Sequence, residues 1–389
     1  MDEYGAMSEQ DARRHRAAVW SDAGRKLWHT PVEATIGERL TELRELAEGA
    51  HALMDPYEPV DMYGDGGPVA EVERRVAELL GFPAAVFFPT GTMAQQVALR
   101  CWAGRTGSPV VALHPLSHPE VHEDGALGAV SGLRTVHPTD EPRLPTAEEV
   151  RDHPEPFGTL MLELPLRDAG FVLPTWTELV EVVDAARERD AVVHIDGARL
   201  WECAPHFGRE PREIAGLADS VYVSFYKSLG GISGAALAGP EEVMDEARLW
   251  LHRYGGLVFQ QFPAALSALR GLGVELPKLP SYVAHARVVA DGLRAGFEEA
   301  GVPWFRIHPE TPHTHQFQVW LPYDPEVLTA ASLALTEATD TVLFRRWSPS
   351  PAGGPPGVAV TEVTVAEPGL AWTEADVREA VVAFVSRVA

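Results

Sequence analysis

The chain has 389 residues, 46% of them hydrophobic, enough to fill the core of one large or two ordinary domains. Its 56 acidic residues outnumber 32 basic ones, for a formal net charge of −24. Charge of that sign repels phosphate backbones and anionic lipid, so nucleic acid and membrane are poor partners, and its main effect is solubility.

In chain order, residues 1 to about 60 read as helical pieces and loops, with GERLTELRELAEGA the clearest amphipathic helix. This stretch is expected to pack on a smaller domain or on a partner subunit. From 61 to 270 helix and strand alternate. PVAEVERRVAELLG starts with proline and ends with glycine, as helices do. AAVFF is a short strand and TMAQQVALRCWAG a helix. The apolar runs VVAL, TLMLEL, VVHIDGA, SVYVSF and GAALAG are further strands. Thr175 and Glu178 form a capping box before TWTELVEVVDAARERD. Short valine-rich strands between helices predict an α/β fold with a mainly parallel sheet covered on both faces.

Another helix, PEEVMDEARLWLHRYGG, follows. Over 271–389 the pattern changes to a smaller α+β domain. HQFQVWL and GVAVTEVTV alternate as strands, TVLFRRW is short, and SPSPAGGPPG is a loop. A final helix, capped by Thr373, closes the chain. The two cysteines, Cys101 and Cys203, exclude a disulfide framework and suggest a reducing compartment. The polar N-terminus lacks the apolar core of a secretory signal, and no apolar run is long enough to span a membrane. A cytoplasmic protein is expected.

Three segments could carry chemistry. PTGTMAQ lies where a strand meets a helix, so Gly91 and Thr92 are candidate phosphate contacts at a helix N-terminus. A plain turn capped by Thr90 or Thr92 explains the same letters. HIDGARLW puts Asp196 at the end of an apolar strand, where α/β sheets bind ligands. A structural aspartate capping the next turn is the competing reading. SFYKSLGG puts Lys227 after the next strand, on the same sheet edge. A desolvated lysine there is a nucleophile able to form a Schiff base, although a surface lysine on a turn would be more ordinary. A phosphate cradle, a carboxylate for a ring nitrogen and a reactive lysine together match the needs of pyridoxal 5′-phosphate (PLP).

From MYGDGG through FFPTGTMAQQVAL, HIDGARLWECA, DSVYVSFYKSLGG and GAALAGP, the chain resembles the threonine aldolase and β-eliminating lyase family of PLP enzymes. The resemblance implies the aspartate-aminotransferase-like fold (fold type I) and a homodimer or homotetramer. It implies Lys227 as the Schiff-base lysine, Asp196 as partner of the pyridine nitrogen and Arg199 as holder of the substrate carboxylate. It also implies Gly91 and Thr92 at the phosphate and His118 over the cofactor ring, with His114 and His122 as neighbours that could be mistaken for it. Tyr63 matches a tyrosine near the active site, and a core or dimer-contact aromatic is an equal alternative.

Three departures stand out. Where the family has ENTHN this chain has ELPLRD, with Leu166 at the histidine position. GGLVFQ carries Phe259 where an arginine is expected, and GVAVTEV lacks an arginine altogether. Arg167, Arg345 or Arg346 could supply a replacement charge. The expected activity is a PLP-dependent lyase acting on a small-molecule amino-acid substrate, with threonine-aldolase-like cleavage to glycine and an aldehyde. β-Elimination or another PLP reaction on amino acids, a non-catalytic PLP-fold protein and a plain nucleotide-binding α/β protein remain open. The last is weakened because GDGGPV does not complete GxGxxG. HPEVH has two histidines at i, i+4 but is not HExxH, and HPETPHTHQ, with three histidines, reads as a proline-containing loop, so no metal is expected.

Overall fold

The computed structural model describes residues 9–28, 34–48, 57, 59–350 and 355–388. The chain divides into two compact units, residues 34–280 and residues 1–33 with 281–389.

The larger unit is built on a seven-stranded sheet. Its strands are β1 (Ala84–Phe88), β2 (Val110–Ala112), β3 (Arg134–Val136), β4 (Thr159–Glu163), β5 (Val192–Gly197), β6 (Ser220–Ser224) and β7 (Ala235–Gly239). Their order is β1-β7-β6-β5-β4-β2-β3. The run from β6 to β3 is parallel, whereas β7 is antiparallel to both β6 and β1. The reversal follows from chain length. Only residues 225–234 join β6 to β7, too few for the crossover that parallel strands need. GAALAG is therefore a strand as expected, but an antiparallel one, and Lys227 sits in the short link before it.

Both faces of the sheet are covered, which is why its strands are continuous apolar runs. Val86 and Phe88 point into a core shared with helices α2 (Gly91–Thr106) and Glu241–Arg253. On the opposite face Phe87 stacks on Phe225 at 5.9 Å. The Phe87 N–H donates to Glu73 of helix α1 (Gly67–Leu80) at 2.8 Å. Helix α1 has proline in its first turn and ends at Gly81 with φ 74°, a conformation that favours glycine. Helix α3 (Trp176–Glu188) starts on the Thr175/Glu178 capping box read from the sequence. At α2 the cap is Thr90, whose hydroxyl accepts from Met93 N–H at 3.2 Å. Thr92 lies one residue inside the helix and is exposed.

The smaller unit carries a four-stranded antiparallel sheet of β8 (Arg306–His308), β9 (Gln316–Leu321), β10 (Ser348–Pro349) and β11 (Ala359–Thr364), in the order β10-β11-β9-β8. Of TVLFRRW only Thr341–Val342 pairs, and it does so parallel to Arg25–Lys26. Ser348–Pro349, read as loop, forms the edge strand. Helix α4 (Leu279–Glu299) packs closely on α5 (Glu374–Val385), the latter capped by Thr373. Among the described residues no helix is long and apolar enough to cross a membrane.

Glycine permits that helix pairing. A Cβ on Gly296 would lie 2.5 Å from Val381 Cβ, and one on Gly292 would lie 2.7 Å from Val377 Cβ. Gly296→Ala gains helix propensity of about 1 kcal/mol but forces the helices apart at a larger cost. It is expected to lower the unfolding free energy by about 1–2 kcal/mol in a denaturant titration.

Candidate active site

The parallel register sets the site. Glu163 closes β4, and its direct partner on β5 is Asp196. Both carboxylates are buried side by side at the C-terminal edge, and β6 delivers Lys227 three residues beyond its last residue. Each carboxylate is held by backbone. Glu163 Oε2 accepts from His118 N–H at 2.7 Å and Oε1 from Arg167 N–H at 3.1 Å. Asp196 Oδ1 accepts from Ala198 N–H at 3.0 Å. Burial pushes the affinity of both for protons upward. The Ala198 N–H first, then the neighbouring His118, oppose that shift at Asp196.

Lys227 is half-buried. Burial first, then the neighbouring Arg199 and Arg167 guanidinium groups, lower its pKa to about 8, against the partial opposition of Asp196 and Glu163. Its Nζ lies 5.0 Å from the centre of the Tyr226 ring. The chain contains only three lysines. Lys26 donates to Ser21 O at 2.7 Å and Lys278 lies 3.5 Å from Glu275.

Arg199 is largely buried, 3.7 Å from the fully buried Glu202 and over the Phe171 ring. Ser228, next to Lys227, donates to the other oxygen of Glu202 at 3.1 Å. His118 lies beside Asp196 and pairs through Nδ1 with Glu123 at 3.1 Å. His114 turns away, bonded to Glu141 O. His122 pairs with Asp168 at 2.6 Å, its ring 5.2 Å from that of His118. Leu166 is buried and carries no group that could exchange a proton. Arg167 faces Lys227 electrostatically.

Gly91 opens helix α2 directly against Tyr222 of β6. A Cβ there would lie 2.0 Å from the phenol oxygen. Ser224, on the same face of β6 two residues later, has a buried hydroxyl with no hydrogen bond of ordinary geometry. The structure thus brings Lys227, Asp196, Arg199 and His118 together, with Gly91 one side chain away. Tyr63 is half-exposed, its N–H donates to Phe259 O at 2.9 Å, and its ring meets that of Phe259 edge-on at 5.2 Å. Among the described residues, these Tyr63 contacts are both with Phe259.

Sequence reasoning missed Glu163, Glu123, Gln95 and Ser224. Glu163 had a usable signal: an apolar strand ending in a carboxylate, as HID does. Gln95 had none. Its Oε1 faces His194 Nε2 at 2.7 Å, while its buried Nε2 faces Asp196 without closing an ordinary hydrogen bond.

The residues present suit PLP. Asp196 is a buried carboxylate that forms no ion pair among the described residues, as a partner for a protonated ring nitrogen should be. The depressed lysine suits an aldehyde, and the Ser224 hydroxyl and the helix N-terminus at Gly91 suit an anion.

Comparison with known proteins agrees with this. The family model for β-eliminating lyases matches residues 56–304. A solved structure of a candidate L-allo-threonine aldolase from Listeria monocytogenes superposes with a TM-score of 0.84 at 32% identity, covering 97% of this chain and 99% of that one. The low-specificity L-threonine aldolase of Escherichia coli K12 is 31% identical over 63% of this chain and 74% of its own. An alanine racemase of Cochliobolus carbonum is 29% identical over 56% and 58%.

In protein stripped of any carbonyl cofactor, modification of Lys227 by an amine reagent, read by peptide mass spectrometry, is expected to rise with a midpoint near pH 8. Arg199→Leu removes a positive neighbour and should move that midpoint upward. A wild-type curve still climbing at pH 10 would contradict the geometry.

Proposed function

The chain belongs to the β-eliminating lyase family, and within it we propose a PLP-dependent lyase that cleaves a β-hydroxy-α-amino acid to glycine and an aldehyde. The observation that carries the reading is Asp196, buried and without an ion-pair partner among the described residues, on the same sheet edge as a lysine whose pKa is lowered to about 8. Bound PLP supplies an electron sink conjugated to the substrate α-carbon. Asp196 holds the proton on the pyridine nitrogen. The Ser224 hydroxyl, with Gly91 and Thr92 at the start of α2, is set to hold the phosphate. Lys227 keeps a useful fraction of free amine near neutral pH, which is what a residue that would hold the cofactor aldehyde needs. Arg199 holds the substrate carboxylate, which orients the bond to be broken. His118 takes the β-hydroxyl proton as general base. Arg167 is placed to add positive charge near the substrate.

A second reading, β-elimination, is favoured by Leu166, a buried apolar residue where the family resemblance expects a histidine. There Lys227 would take the α-proton and a leaving group would depart from the β-carbon. The apolar side chains exposed around Tyr63 and Phe259, with Met62 and Val258, fit a contact between copies of the chain and so a homodimer or homotetramer.

Protein purified with PLP is expected to be yellow, and borohydride should fix PLP covalently to Lys227. Lys227→Ala should abolish both the fixation and turnover, by at least a thousandfold. β-Hydroxy amino acids should release glycine and aldehyde. Ammonia and a keto acid from β-leaving-group amino acids, without aldol cleavage, would establish the second reading instead.

A further inference from the structure

We infer that Glu123 is a positioning residue for His118: its carboxylate holds the imidazole by Nδ1, so that Nε2 is the nitrogen left for the chemistry of the site. The inference rests on the placing of His118 in the proposed PLP site and adds a residue to it.

The Glu123 side chain is only 1% exposed, while His118 is 36% exposed. A surface pair would be loose, but this one has an anchored member. The second Glu123 oxygen accepts from Gln96 Nε2 of helix α2 at 3.4 Å. Gln96 Oε1 in turn accepts from Ser131 Oγ, which lies 3.2 Å from the Tyr254 hydroxyl. The carboxylate is therefore held from behind by Gln96, which is itself backed by Ser131 and, through it, Tyr254.

A carboxylate only accepts hydrogen bonds, so Nδ1 must carry a proton in both charge states of the ring. Titration is confined to Nε2. The charged groups facing His118 are Glu123, Asp196 and Glu163, each favouring the imidazolium, with Glu123 the largest, and burial opposes them. The adjacent titratable ring is His122, whose Nε2 is the nitrogen engaged, by Asp168 at 2.6 Å. The two neighbouring rings are thus pinned at different nitrogens, and only His118 is pinned by a fully buried carboxylate.

The test uses the full chain, cofactor-free, with ¹⁵N-labelled histidine, and identifies the His118 signals by their loss in His118→Gln. Above the midpoint of its titration, wild-type His118 should be the Nδ1–H tautomer. Glu123→Gln keeps the shape and removes the charge. The midpoint should then fall by about one pH unit, because the imidazolium loses its nearest anion and releases its proton at lower pH. Glu123→Asp should retain most of the wild-type midpoint. With PLP bound, the acidic limb of kcat/KM in Glu123→Gln should shift the same way, with kcat affected more than KM. A wild-type Nε2–H tautomer, which needs no variant, would overturn the inference, as would an unchanged midpoint in Glu123→Gln. Failure of the PLP reading shows separately, as absence of borohydride fixation at Lys227, and leaves the NMR result intact.

Discussion

Two carboxylates abreast at the ends of adjacent parallel strands are the constraint around which the larger unit is organised. Glu163 and Asp196 are direct register partners and both are buried. Burying like charges together is costly unless each is compensated. The loops that leave the sheet edge offset part of this cost. Residues 118 and 167 donate backbone N–H groups to Glu163, and residue 198 donates to Asp196. Lys227, Arg199, Arg167 and His118 add positive charge around the pair. The loops that carry His118, Arg167 and Arg199 are thereby tied to the same two side chains.

Behind the pair lies a buried polar relay that fixes the strands from within. Trp102 Nε1 and His194 Nδ1 both meet Ser220 Oγ, at 2.7 and 2.8 Å, and His194 Nε2 meets Gln95. Burial drives the pKa of His194 down to about 3, so it stays neutral and can serve as donor on one side and acceptor on the other. The relay links β5, β6 and helix α2 immediately beneath Asp196. Such a network, once satisfied, specifies a single arrangement of the core.

Legibility in the sequence followed how local the governing physics was. The Thr175 capping box, the Pro68–Gly81 helix limits and the strand ending at Asp196 rest on contacts within a few residues, and each could be read directly. Lys227 and Asp196 converge because parallel strands end on one edge, a rule that needs no coordinates. The direction of β7 depended on the length of one connection, which apolar runs alone do not report. TVLFRRW reads as a strand by composition, yet only two of its residues find a partner, and that partner is Arg25–Lys26, distant in sequence. Glu163 was hidden inside an apolar run, and nothing adjacent to Glu123 in sequence reports its burial. Only the packing of α2 against the loop after β2 buries the Glu123 side chain. Tyr63 carried two equal readings, and its ring meets that of Phe259 edge-on.

The scarcity of lysine has a chemical corollary. Nearly every cation of the chain is an arginine, whose guanidinium does not condense readily with carbonyl compounds near neutral pH. Beyond Lys227, just two side-chain amines remain, each already engaged by an oxygen. A surface of this kind offers small electrophiles few amines with which to form adducts.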